Sequence, residues 1–155
     1  MPVCVSVLCV KKDKRQVQET ILPQDIDSVD GVEIGAVYFP AQEVGGDFYD
    51  IIKITDDQFV MVLGDVSNKG VPAALVMSAA AGIIKSAISA QPDISVSKLA
   101  NKTNELLADG IIKHREMFVT LFFCKFDLGE RVLTYCNAGH IPGLYWDEKS
   151  KTIAE

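Results

Sequence analysis

Two apolar runs, Phe48 to Ile54 and Phe59 to Leu63, flank the polar stretch Thr55-Asp56-Asp57-Gln58. That pattern predicts a β-hairpin with strands over 46–54 and 58–66 and its turn at Asp56-Asp57. Alternation puts Tyr49, Ile51, Phe59, Met61 and Leu63 on one face and Phe48, Ile52, Ile54, Val60 and Val62 on the other. Both faces are apolar, so the sheet should be covered on both sides. Further along, Pro72 suits the first turn of a helix. Residues 73–89 are apolar or small almost all the way round, which predicts a buried helix. Its Ala79-Ala80-Ala81-Gly82 patch allows close packing by another element. A second helix follows Pro92, with a stripe of Val96, Leu99, Thr103, Leu106 and Leu107 and a stop at Gly110.

Strands return at 117–126 and 131–136, joined by the turn Asp127-Leu128-Gly129-Glu130, and a short strand at 144–146 precedes a polar tail. Ahead of the hairpin, Val3, Val5 and Val7 alternate as a short strand. A brief helix over 14–22 ends at Pro23, and a strand over 31–39 closes at Pro40. Strands, then two helices, then strands imply an α+β fold with the helix pair lying against an antiparallel sheet.

Composition narrows the class without changing that outline. A chain of 155 residues is one ordinary domain with room for a core. With 48% apolar residues and a net charge of −6, it reads as a soluble, acidic protein. Nucleic acid is not an expected partner, since the only basic run is Lys11-Lys12-Asp13-Lys14-Arg15. Cys4, Cys9, Cys124 and Cys136 lack CxxC spacing and lie in apolar stretches, as buried thiols of a reducing compartment do. The apolar opening, residues 1–10, is too short to span a bilayer and lacks the marks of a signal peptide. The expected location is cytoplasmic, with no membrane span.

Chemistry gathers at the open end of the hairpin. Gly45-Gly46-Asp47 and Gly64-Asp65 lie equally far from the turn, so Asp47 and Asp65 should meet across neighbouring strands, opposite or one residue out of register. If opposite, their Cβ atoms are about 4.5–5.5 Å apart on one face. Carboxylates that close repel unless protonated or bridged by cations, and hard divalent cations favour all-oxygen sites of that kind. The plainer alternative is that Asp merely punctuates strand ends. Asp50 shares the strand but faces the other way, so at most it supports the site from behind. Lys69, in the Asn68-Lys69-Gly70 loop, could meet a phosphate or be an ordinary solvated lysine. His140, in Asn137-Ala138-Gly139-His140-Ile141-Pro142, is either a proton donor or a hydrogen-bonded turn residue. His114, between Lys113 and Arg115, reads as exposed.

The segments Pro40-Ala41-Gln42-Glu43-Val44-Gly45-Gly46-Asp47-Phe48-Tyr49-Asp50, Gly64 to Leu75, and Asn137 to Pro142 resemble successive motifs of the SpoIIE/RsbU-type phosphatases. These belong to the metal-dependent PPM superfamily and are similar to type-2C protein phosphatases. Gln18-Glu19-Thr20-Ile21-Leu22-Pro23 resembles the first helix of that family, so the likeness runs from about Gln16 to Tyr145. It divides the chain into an N-terminal extension, 1–15, and the N-terminal portion of a phosphatase domain, 16–155. The resemblance implies a four-layer α/β/β/α sandwich with a binuclear Mn²⁺ or Mg²⁺ centre between the sheets. It also implies hydrolysis of phosphoserine or phosphothreonine on a small protein, a STAS-type anti-anti-sigma factor in partner-switching signalling. By motif position, Asp65 would bridge both metals, Asp47 would hold one, and the Val66 carbonyl would add a backbone ligand. A metal pair acidifies bound water towards neutrality and neutralises phosphoryl oxygens for in-line attack, so no protein nucleophile is needed.

The family's sequence continues through a Thr-Asp-Gly motif and a closing Asp-Asp pair that add metal ligands. This chain contains neither and reads as C-terminally truncated, with a sheet edge open to self-association. An alternative function follows from the missing ligands: a non-catalytic PPM-like module that docks a regulator. Further partners expected from the family are a kinase-like regulator, a fused sensory domain or a second copy of the chain. The helix over 72–89 starts beside Asp65, so a partner on the helix pair would be expected to alter the site.

Overall fold

The hairpin forms where the pattern places it. In the computed structural model, which describes residues 3–8, 23, 32–37, 45–113, 116–147 and 149–154, β3 (Phe48–Lys53) and β4 (Gln58–Val66) run antiparallel, with Phe48 opposite Gly64 and Lys53 opposite Phe59. Lys53 and Asp56 close the turn with an ion pair at 2.9 Å. β5 (Val119–Asp127) and β6 (Val132–Ala138) extend the sheet to the order β3-β4-β5-β6. These two strands are shifted by one or two residues from the expected 117–126 and 131–136. The turn between them is fixed by the Asp127 carboxylate, which accepts the Glu130 N–H at 2.9 Å.

Helix α1 (Val71–Ala90) and helix α2 (Val96–Leu106) cover one face of this sheet. Ser95 caps α2, its hydroxyl accepting the Lys98 N–H at 3.3 Å. The α2 stripe holds at Val96, Leu99, Thr103 and Leu107, all buried, but Leu106 is exposed. The α-helix also stops earlier than Gly110: residues Leu107–Ile111 form a π-helical turn, closed by Ile112 N–H donating to the Leu107 carbonyl at 2.9 Å. Leu107, four residues after Thr103, continues the buried stripe at ordinary α-helical spacing, whereas Leu106 falls at its margin. Phe48, Val60, Val62, Val66, Leu121 and Phe123 meet the helices from the sheet side. Helix α1 is long and apolar enough to cross a membrane by length and composition, yet its buried residues make it a core helix packed on β3, β4 and α2.

The opposite face carries a smaller core. Phe59 stacks on Phe126, ring centres 4.6 Å apart, beside Met61, and Val32 and Ile34 pack against them. Those last two side chains belong to β2 (Val32–Val37), which pairs in parallel with β1 (Val3–Leu8), Val3 opposite Val32. Residues 3–8 therefore contribute a strand to a second sheet layer. One helical and two sheet layers of the expected sandwich are thus described. The helix expected over 14–22 lies outside the described residues. At the far end, β7 (Tyr145–Asp147) pairs with β8 (Thr152–Ala154), Trp146 opposite Ile153. The polar tail hid β8 because Ile153 alone gives no alternation to read. The turn forms because Asp147 accepts the Lys149 N–H at 2.9 Å and the Ser150 hydroxyl at 2.8 Å.

Candidate metal centre

Register carries the acidic pair to one place. Phe48 is opposite Gly64, and the Val66 N–H donates to the Gly46 carbonyl at 3.3 Å, so Asp47 and Asp65 face each other between those two pairs. Gly46 and Val66 form a hydrogen-bonded pair, which makes the next position inward the one where opposed side chains come closest. The two carboxyls hydrogen-bond to each other, and Asp47 is pushed up to about 6, first by burial and then by the bond to and charge of Asp65. Asp47 is half-buried and Asp65 exposed on the face of the sheet away from the helices.

Gly46 is required by the close approach of the strands. A Cβ there would lie 2.6 Å from the Val66 carbonyl oxygen and 3.0 Å from the Val66 Cβ. After Val66, the chain turns into α1 through Asn68 (φ 73°) and Gly70 (φ 75°), the two left-handed positions that the loop composition suggests. Lys69, between them, is exposed. Ser67 locks the loop to β5: its N–H donates to the Phe118 carbonyl at 2.9 Å, and its hydroxyl accepts the Phe118 N–H at 2.9 Å.

β5 extends the row. Thr120 is the register partner of Asp65, its hydroxyl 3.4 Å from the Asp65 carbonyl oxygen and 2.9 Å from His140 Nδ1. Asn137 holds the backbone of His140 from both sides, accepting its N–H at 2.8 Å and donating to its carbonyl at 3.0 Å. His140 is therefore a fixed turn residue whose ring also reaches the acidic site. Burial lowers its affinity for a proton, and the Asp65 charge opposes that only in part. Asp50 takes the other face, as alternation predicts: it is buried under α1, with its Oδ2 3.0 Å from Lys85 Nζ. His114 lies outside the described residues.

Asp47, Asp65 and the neighbourhood of His140 are thus brought together, while Asp50 and Lys69 are not part of that cluster. Sequence reasoning missed Thr120, which becomes visible only once β5 is registered against β4. Lys85 was also missed, although it is the one charge in an apolar helix. Two opposed carboxylates, beside the Val66 backbone carbonyl, fit a hard cation. Among the described residues no group of three or more His, Cys, Asp or Glu side chains converges, so these two carboxylates supply only part of a coordination shell.

A helix pair on an antiparallel sheet, a second sheet behind it and a carboxylate pair facing that second sheet define a domain of the PPM phosphatase class. Residues 55–155 match the family Stage II sporulation protein E (SpoIIE), and the chain belongs to that family. It is 31% identical over 139 residues to the phosphoserine phosphatase RsbU of Bacillus subtilis, covering 88% of this chain and 39% of that protein. It is 33% identical over 158 residues to Protein IcfG of Synechocystis, covering 83% of this chain and 24% of that protein. The chain spans well under half the length of these curated relatives. Among solved structures, the RsbU and RsbW domains of a Mycobacterium tuberculosis protein superpose with a TM-score of 0.57 at 29% identity, over 67% of this chain and 28% of that one. The SiaA-PP2C domain of Pseudomonas aeruginosa shares the fold, with a TM-score of 0.57 at 23% identity, over 63% of this chain and 39% of that one.

Proposed function

We propose that this chain carries the N-terminal half of the active centre of a metal-dependent serine/threonine phosphatase. Its substrate would be a phosphoserine or phosphothreonine on a small STAS-type regulatory protein of a partner-switching circuit. The observation that carries the reading is the opposed Asp47–Asp65 pair, fixed by strand register on the sheet face away from the helices. Asp65 and Asp47 would hold Mn²⁺ or Mg²⁺, with the Val66 carbonyl oxygen as a backbone donor. When bound, the metal supplies acidified water and neutralises phosphoryl charge. Thr120 fixes the His140 ring beside this site, where a neutral imidazole can donate or accept one hydrogen bond at its free nitrogen. Lys69 stands exposed on the loop after β4, available to an incoming phosphate from solvent. The remaining metal donors would come from outside the described residues. RsbU in the relatives' names, and its pairing with an RsbW domain in the Mycobacterium tuberculosis structure, support a partner-switching context.

Calorimetric titration with Mn²⁺, alongside hydrolysis of p-nitrophenyl phosphate, tests this reading. The expected result is binding that Asp65→Asn abolishes, with turnover lost in the same variant. Neither binding nor turnover in the unmodified protein would overturn it in favour of a non-catalytic docking module.

A further inference from the structure

Asp50 sits in the same short motif as Asp47 yet points into the core, 4% exposed, on the sheet face covered by α1. Its Oδ1 accepts the Ile51 N–H at 3.0 Å. Its Oδ2 is buried without a well-aligned hydrogen-bond donor among the described residues, so the Lys85 ammonium at 3.0 Å compensates it by charge. A buried carboxylate met by one cation is held in place strongly, because losing that cation leaves an uncompensated charge in the core. Lys85 is the one charged residue in α1, and its side chain is half exposed.

The other end of α1 is tied to the site as well. The helix begins at Val71, joined to Val66 by the Ser67–Gly70 turn, whose Asn68 and Gly70 are both left-handed. Helix α1 therefore grips both acid-bearing strands, β4 through the chain and β3 through the Lys85–Asp50 pair. Between those grips lies the Gly46–Val66 hydrogen bond that brackets Asp47 and Asp65, at 3.3 Å a long one. We infer that Lys85 is a positioning residue: its ion pair with Asp50 sets the end of β3 and thereby the approach of Asp47 to Asp65. The inference rests on the metal-site reading for its consequence, but its structural effect is measurable without metal.

Amide hydrogen exchange on the metal-free protein, followed residue by residue with Phe123 as a core reference, is paired with Mn²⁺ calorimetry. In Lys85→Met, the Val66 amide should exchange about tenfold faster than in the unmodified protein while Phe123 changes much less. Mn²⁺ affinity should fall about tenfold, the lower end for loss of a supporting partner. Lys85→Arg, which keeps the charge, should restore both. Should Lys85→Met fail to fold, Asp50→Asn removes the same pair with Lys85 intact, and the same two readings apply. Equal acceleration at Val66 and Phe123, or unchanged Mn²⁺ affinity, would overturn the proposal, since either describes a stabilising contact only. Local acceleration at Val66 in a protein that binds no Mn²⁺ even unmodified would instead sink the metal reading and leave the positioning role standing.

Discussion

At Asp47, burial and the neighbouring Asp65 charge push in the same direction. Its ordinary value is 3.8 and its folded value about 6, so the folded chain holds a proton more tightly than the unfolded one. The contribution of Asp47 to the stability of the metal-free protein should therefore be fully present below about pH 4 and be lost as pH rises to about 6, flattening beyond. A shift of this size corresponds to about 3 kcal/mol, reduced to about 1 kcal/mol by screening at a half-exposed site. Asp47→Asn should abolish that slope in melts recorded with chelator at pH 5 and pH 7. Gly46→Ala should act on the same pair sterically, since its methyl would press on the Val66 carbonyl and splay the strand ends. Mn²⁺ affinity is expected to drop at least about tenfold in calorimetry, as for lost second partners of metal ligands. Burial also pushes the Cys124 thiol up to about 11. In the native protein at pH 8, iodoacetamide should leave Cys124 unmodified, and peptide mass spectrometry should find it alkylated only after unfolding.

Helix α1 shows how far a pattern reaches at the level of an element. Uniform apolarity over 73–89 predicts burial, and the structure buries Ala73, Val76, Met77, Ala80, Ala81, Ile84, Ala87 and Ile88. What periodicity could not supply was which small residues of the Ala79–Gly82 patch face the sheet. Ala80 is fully buried and Gly82 exposed. Ala80→Leu would therefore overpack the core and should lower unfolding free energy by about 2 kcal/mol in urea titrations. On the exposed side of α1, Leu75 stands free of the core at 65% exposure. The hairpin was legible because two apolar runs flank a single short polar turn, which centres the pairing. The π-turn at Leu107–Ile111 was not, since a single extra residue in a helical turn leaves the composition unchanged.

Across the whole molecule, coverage of the sheet is uneven. The helices cover most of one side of the four-stranded sheet but leave Val132 of β6 exposed, whereas beyond β2 the other face leaves Leu133 and Tyr135 of β6 exposed, with Tyr145, Trp146 and Ile153 also exposed in the β7–β8 hairpin. Phe122 stacks on Tyr135 there, ring centres 5.9 Å apart, without burying it. The isolated chain is expected to associate as its concentration rises. Leu133→Lys with Tyr135→Lys should suppress that in light scattering while changing stability by no more than about 0.5 kcal/mol for each, as exposed substitutions do.

The sequence by itself determined the hairpin, its turn, the burial of α1, the two faces of β4 and the placing of Asp47 and Asp65 on neighbouring strands, opposite or one residue out of register. All of these follow from short-range periodicity and from the symmetry of a hairpin about its turn. Tertiary structure alone decided the rest, because it concerns elements distant in sequence. The β4–β5 register puts Thr120 beside Asp65 and brings His140 to the site across some seventy positions of chain. The pairing of β1 with β2 and the meeting of Lys85 with Asp50 likewise depend on how separate elements pack, which no local pattern encodes.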